Sequence, residues 1–171
     1  ATLGILGLGR LGGQVAALGK AFGMEVQAWS QNLTPERAAE QGVTYKDKEA
    51  FFATSDFISI HLKLSSRVTG LVGAEELAWM KPNACIVNTS RAPIIDETAL
   101  IKALNTGKLG AAALDVYHHE PLPKDDALRT TPNLILTPHI GYVTQETMRV
   151  FYAETLESLK AYLTGVPIRL L

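Results

Sequence analysis

The chain alternates between two hydrophobic periods. An apolar run, Leu3-Gly4-Ile5-Leu6, within a strand read over 2–7, is followed by apolar positions at Leu11, Val15, Leu18 and Phe22, spaced four, three and four apart. The run reads as a strand, and the spacing marks one face of a helix over about 10–22, stopped by Gly23. Glu25-Val26-Gln27-Ala28-Trp29 is a second strand. Thr34-Pro35 caps and opens a short helix that ends near Gln41 and Gly42. Residues 43–45 form a short third strand, and Asp47 caps a helix through Ala53 that buries Phe51 and Phe52. Further strands are read at 57–61, 84–88, 110–116 and 134–136. A brief helix at 75–80 ends on Lys81-Pro82-Asn83, and Asp96 caps another that holds Leu100, Ile101 and Leu104 and closes at Gly107. A long helix over 144–163 carries Met148, Phe151, Tyr152, Leu156, Leu159 and Leu163 along one side, before the apolar tail 165–171. Strands alternating with helices predict an α/β fold: a doubly wound parallel sheet of Rossmann type, about seven strands with helices on both faces. The loop from Tyr117 to Pro132 is long for such a fold, and long loops in compact domains are often functional.

The first strand-helix junction holds Gly7-Leu8-Gly9-Arg10-Leu11-Gly12. A G-x-G-x-x-G in this context is a dinucleotide fingerprint. Gly7 permits the tight turn, Gly9 lets a pyrophosphate approach the backbone, and Gly12 lets helix and strand pack closely. The helix N-terminus offers unpaired N–H groups and partial positive charge to the phosphates, so Gly7, Gly9, Arg10, Leu11 and Gly12 are candidate cofactor contacts. The second strand usually ends in an acid that binds the ribose hydroxyls. That place holds Ser30, with Gln31 and Asn32 next and Arg37 as the nearest downstream cation. A small polar residue does not repel a 2′-phosphate, and Ser30 and Asn32 can also bond the ribose of NAD. NAD and NADP both stay open.

Ligands of open parallel sheets bind beyond the carboxyl ends of the strands. Those ends read Gly7, Ser30, His61, then Asn88-Thr89-Ser90-Arg91, then Asp115, then Thr137-Pro138-His139. Arg91, Asp115, Glu120 and His139 can therefore share one crevice. An imidazole held by a carboxylate is a competent proton donor, and a guanidinium can grip a carboxylate through two parallel hydrogen bonds. His61 reads as a structural donor near the cofactor, and Thr89 as a neighbour of it.

Composition narrows the class. Of 171 residues, 47% are hydrophobic and 19% charged, which fits a globular chain. Sixteen cations against 17 acids leave a net charge of −1, with no basic stripe for nucleic acid or an anionic membrane. No apolar run approaches a membrane span, and no signal-type segment opens the chain. Cys85, the only cysteine, reads as core filling, and a cytoplasmic setting fits. His118 and His119 beside Glu120 invite a metal reading, but adjacent histidines diverge and no metal site is expected. Trp29 and Trp79 read as packing groups. The chain lacks an initiator Met and enters a strand almost at once, so it is read as starting partway through a longer protein.

Three stretches resemble the D-isomer-specific 2-hydroxyacid dehydrogenases: Gly7 to Gly12; Val87-Asn88-Thr89-Ser90-Arg91-Ala92-Pro93-Ile94-Ile95-Asp96; and Ala113-Leu114-Asp115-Val116-Tyr117-His118-His119-Glu120-Pro121-Leu122, continued by Asn133 and Thr137-Pro138-His139-Ile140-Gly141. The resemblance spans nearly the whole chain. It implies hydride transfer between NAD(P)(H) and a 2-oxo or D-2-hydroxy acid. Arg91 would bind the acid, Glu120 pair with His139, and His139 serve as acid/base. Asp115 would contact the nicotinamide end, with Gly141 also beside the cofactor. The family extends to transcriptional corepressors, so a nucleotide-binding sensor or corepressor-like module without turnover is the alternative. Ala92 replaces a usual Gly, His61-Leu62-Lys63-Leu64-Ser65 replaces a usual His-Leu-Pro-Leu, and Tyr142 stands where a small residue or Trp is common. Family members build a substrate domain from residues before and after the nucleotide domain. On that pattern, 1–143 is the NAD(P)-binding domain and 144–171 a helix and tail that return to a substrate domain absent here. The full-length form is expected to be a homodimer, and the 171-residue chain alone to bind cofactor without useful turnover.

Overall fold

The computed structural model describes residues 1–170; Leu171, at the end of the apolar tail, lies outside the described residues. Two compact units are present, Ala1–His139 and the residues from Ile140 onward. The first is built from strands β1 (Thr2–Leu6), β2 (Glu25–Trp29), β3 (Thr44–Tyr45), β4 (Phe57–Ile60), β5 (Cys85–Asn88), β6 (Ala111–Leu114) and β7 (Leu134–Leu136). They alternate with helices α1 (Arg10–Ala21), α2 (Pro35–Glu40), α3 (Lys48–Thr54), α4 (Ala74–Trp79) and α5 (Glu97–Asn105). All seven strands pair in parallel in the order β3-β2-β1-β4-β5-β6-β7. The order reverses between β1 and β4, the point where such sheets open a crevice at their carboxyl ends. The caps follow the sequence: Thr34, Asp47 and Asp96 each accept from a backbone N–H three residues on. Two short 3₁₀ turns, Ala92–Ile94 and Ala127–Thr130, were not apparent in the apolar pattern.

The sheet has two cores. One face packs Phe51 and Phe52 of α3, Leu77 of α4 and Leu100 and Leu104 of α5 against Ile58, Ile60, Ile86 and Leu114. Burying each large side chain there stabilises the fold by roughly 1.5–3 kcal/mol. The other face packs Ala16 of α1 and Ala38 of α2 against Leu3, Ile5, Val26 and Ala28. Those two helices lie against β1 and β2, so the outward row of β4 to β7 stays partly open. Phe57 is 43% exposed and Ile135 67%, and Cys85 is half-buried on this row, not buried core filling. Burial nevertheless pushes the Cys85 thiol up, which keeps it protonated.

The apolar spacing in α1 is not the buried face. Leu11, Leu18 and Phe22 are exposed, whereas Gly12, Ala16 and Gly19 are buried. The reason is distance. A Cβ on Gly12 would overlap the Gly7 carbonyl oxygen and meet Ile5 Cγ2 at 3.0 Å, and one on Gly19 would run into Leu3 Cδ2. The helix lies so close to β1 that only small residues fit between them, and the larger ones turn outward.

One ion pair ties α3 to α4, and another joins the loops before β4 and after α4. The buried Glu76 carboxylate pairs with Lys48 and accepts from the Gly73 N–H, and the Lys48 ammonium lies 5.8 Å from the ring centroids of both Trp29 and Trp79. Asp56 accepts from Lys81 Nζ at 2.7 Å and from the Thr2 N–H at 2.7 Å, which hold its carboxyl below the usual range. For Glu76 burial pushes upward, but Lys48 and the Gly73 N–H outweigh it and the net shift is down. A carboxyl lowered in the folded state binds protons more readily once unfolded. Its stabilisation is therefore complete above the unfolded value of about 4 and is lost as pH falls through the folded one. The thermal midpoint should drop steeply below about pH 4, and Asp56→Asn should flatten that slope; melts of parent and variant with identical slopes would refute this role.

In the second unit, Thr144 caps helix α6 (Gln145–Leu163) by accepting from the Thr147 N–H. No α6 residue is buried, and Met148, Phe151, Tyr152, Leu156, Leu159 and Leu163 all retain solvent exposure. Tyr142 stacks on Phe151 with ring centroids 6.0 Å apart, and Arg169 pairs with Glu157 at 2.6 Å. Among the described residues no helix is long and apolar enough to cross a membrane.

Candidate active site

The glycine loop sits at the β1 end, and each glycine answers a different constraint. Gly7 has φ +103°, and a Cβ there would also meet the His61 carbonyl oxygen at 2.8 Å. Gly12 is fixed by the close approach of α1. Gly9 is extended backbone, φ −92° and ψ −158°, that any residue adopts, and a Cβ on it meets nothing within 4 Å. Neither conformation nor packing within the chain calls for glycine there, so the open space in front of it is what a ligand would use. This supports a phosphate cradle at the N-terminus of α1.

In front of the loop lies a hollow of about 710 Å³, lined by Gly9, Arg10, Leu11, His61, Thr89 and Arg91 together with Leu62, Lys63, Leu64 and Ser90. Its far wall is set by hydrogen bonds around Asn88. This buried side chain accepts from the Ser90 N–H at 2.9 Å and donates to the Arg91 carbonyl at 3.0 Å, while Ser90 Oγ donates to the Ile60 carbonyl at 2.8 Å. The β5 end is thereby pinned to the β4 end, and the exposed Arg91 is projected into the hollow. His61 Nε2 lies 2.8 Å from Ser59 Oγ, and burial pushes the imidazole down, toward the neutral form. Ser30 and Asn32 follow the β2 end and line neither this hollow nor the next.

A second hollow, of about 680 Å³, opens beside β7 and is lined by Tyr117, Glu120, Pro121, Leu122, Arg129, Leu136 and Thr137–His139. Here His139 Nδ1 lies 2.7 Å from Glu120 Oε2. The other Glu120 oxygen accepts from the Tyr117 N–H at 2.9 Å. That N–H, then His139, holds the Glu120 carboxyl below its usual range, with a smaller contribution from the charge of Arg91. The Arg91 field thus reaches Glu120, although the two side chains line different hollows. Asp115 is buried at the β6 end and accepts from Thr137 Oγ1 at 2.5 Å. The Tyr117 hydroxyl donates toward the carbonyls of Leu114 at 3.1 Å and Thr137 at 2.7 Å, clamping the ends of β6 and β7 together. His139 itself has φ +55°, a left-handed conformation uncommon outside glycine. Gly141 belongs to the second unit, in the turn before α6. The structural partners Tyr117, Asn88 and Ser90 had no prior role in the sequence beyond lying in matched stretches, because their contacts arise only when strand ends meet.

Comparison with known proteins fits this geometry. The sequence model of the family described as D-isomer specific 2-hydroxyacid dehydrogenase, NAD binding domain, matches residues 1–141. The chain belongs to this family. NAD(P) is accordingly the cofactor class of this domain. The domain is 43% identical over 164 residues to the glyoxylate reductase of Aeropyrum pernix, covering 96% of this chain and 49% of that protein. It is 42% identical over 168 residues to the D-3-phosphoglycerate dehydrogenase of Synechocystis sp., covering 98% of this chain and 30% of that one. Its fold is similar to the crystal structure of D-lactate dehydrogenase with NAD+ from Lactobacillus jensenii, with a TM-score of 0.81, 30% identity, and coverage of 99% of this chain and 55% of that one. The chain therefore spans about half or less of the length of the curated relatives it matches.

Proposed function

We propose that this chain is the nucleotide-binding part of an oxidoreductase that interconverts a small 2-oxo acid and its D-2-hydroxy acid with NAD(P)(H). The observation that carries the reading is the Glu120–His139 pair at 2.7 Å, with the second carboxylate oxygen anchored on the Tyr117 N–H. A module that only sensed nucleotide would have no use for that pair. When bound, the nicotinamide would supply or accept the hydride. Glu120 accepts a hydrogen bond from Nδ1–H and fixes the tautomer and plane of the ring, which assigns Nε2 as the atom that gives the substrate oxygen its proton or takes it back. Arg91 binds the carboxylate of the acid and stabilises charge building on the carbonyl oxygen. Gly7, Gly9, Arg10, Leu11 and Gly12 hold the pyrophosphate and Ser30 and Asn32 the adenosine ribose. His61 and Thr89 complete the cofactor contacts of the first unit, and Asp115 faces the nicotinamide end; Gly141, in the second unit, keeps the cofactor role that the family pattern implies.

The substrates in the relatives' names, glyoxylate, D-3-phosphoglycerate and D-lactate, share the C1–C2 acid unit that Arg91 and His139 address. In this reading residues 1–143 form the nucleotide domain and 144–171 join a substrate domain. The full-length protein is a cytoplasmic homodimer, and the 171-residue chain alone binds cofactor without useful turnover. The test is oxidation of NADH and NADPH by the full-length protein offered glyoxylate, hydroxypyruvate or pyruvate. Turnover to a D-configured product is expected with at least one acid. Tight cofactor binding with no turnover on any of them would favour the sensor or corepressor-like module instead.

A further inference from the structure

The hollow before the glycine loop holds three cations and no acid. Arg10, Lys63 and Arg91 all line it, and no Asp or Glu does. Among the described residues, neither the Arg10 guanidinium nor the Lys63 ammonium makes a side-chain hydrogen bond or ion pair, and Arg91 bonds only the neighbouring Ser90 carbonyl, at 2.6 Å. Two lysines elsewhere have acid partners instead, Lys48 on Glu76 and Lys81 on Asp56. Three positive charges around one concavity, with no acid on its lining, raise the local potential and favour an anion there. Arg91 has its task in the acid, and Arg10 stands at the N-terminus of α1 where the pyrophosphate is expected. Lys63 is unassigned. It lies on the loop that leaves β4, across the sheet's switch point from Gly9, and is exposed to the hollow.

We propose that Lys63 is a phosphate-binding residue of the dinucleotide site, closing over the cofactor phosphates from the side opposite α1. This rests on the nucleotide-binding reading and adds a residue to it. A flexible ammonium suits the task because it acts as a point charge that can follow a phosphate without fixed geometry. The phosphate is either the pyrophosphate common to both cofactors or the 2′-phosphate of NADP(H), and the two are separable.

The experiment titrates the full-length protein and its Lys63→Gln and Lys63→Arg variants with NADH and NADPH at several salt concentrations, with adenosine as a phosphate-free competitor and oxalate as a mimic of the acid. Lys63→Gln should weaken dinucleotide binding about fivefold, the scale of one exposed charged contact, and make affinity fall less steeply with salt. Adenosine binding should not change, and Lys63→Arg should restore most of the loss. An equal loss for NADH and NADPH identifies the pyrophosphate, and a loss confined to NADPH the 2′-phosphate. Unchanged dinucleotide affinity in Lys63→Gln overturns the proposal. So does an equal loss for adenosine, which marks a change of shape, or a loss confined to oxalate, which assigns the ammonium to the acid. If the parent itself binds neither dinucleotide, the nucleotide-binding reading falls, and this proposal with it.

Discussion

Gly9→Val should melt at the temperature of the parent and fail to bind NADH, whereas Gly12→Val should melt well below it. The two glycines lie three residues apart in one motif, yet the structure separates their roles. A side chain at Gly9 meets no protein atom within 4 Å, and its backbone is ordinary extended chain. Its thermodynamic effect on the fold should stay within about 0.5 kcal/mol. The volume it fills is the one a pyrophosphate would occupy at the N-terminus of α1, so the loss of affinity should exceed about a hundredfold. At Gly12 the added atoms overlap the Gly7 carbonyl, which is rigid backbone and cannot swing away as a side chain end can. Overpacking of this kind destabilises by about 1–3 kcal/mol or more, a large part of a domain's net stability. Thermal melts and NADH titrations of both variants decide it. Undiminished NADH affinity in a folded Gly9→Val would sink the phosphate-cradle reading.

The second large effect is on turnover. His139→Gln in the full-length protein should lower kcat by about 10²–10⁴, the usual contribution of a placed acid/base. Glu120→Gln should lower it by about 10², because the amide can still accept from Nδ1 but brings no charge and a competing donor. Both variants should bind NADH as the parent does, since neither side chain lines the hollow before the glycine loop. Because the two residues act through one hydrogen bond, the double variant should cost little more than His139→Gln alone. Steady-state rates for the three variants and the parent test this. A His139→Gln enzyme within tenfold of the parent would show that the proton moves by another route.

What could be read in the sequence was local. Thr34-Pro35, Asp47 and Asp96 cap helices through contacts three residues away, so residue type and position sufficed. The strands carried their own apolar runs, and the glycine fingerprint its own context. What escaped depends on which elements touch. The spacing of Leu11, Val15, Leu18 and Phe22 was a true helical period, but the face that packs was chosen by the nearness of β1 to α1, which excludes large side chains. Glu120 and His139 could be singled out as residue types at strand ends and by family pattern. Their 2.7 Å contact needs the β6–β7 register, the Tyr117 clamp and the left-handed turn at His139, none of which a periodicity encodes. Cys85 is half-buried and not core filling for a related reason: its apolar neighbourhood in the chain says nothing about whether a helix covers that side of the sheet.

The packing of α1 on β1 also fixes how this segment tolerates change. In a saturation library scored for folding, the usual hydrophobic map inverts. Positions 18 and 22, though leucine and phenylalanine, should accept polar residues freely, because their side chains already face solvent. Positions 12, 16 and 19, occupied by the smallest side chains, should accept almost nothing larger. Drift in this helix is thereby confined to its outer surface, while the surface that sets the distance between the fingerprint and the sheet is held nearly constant by steric exclusion alone.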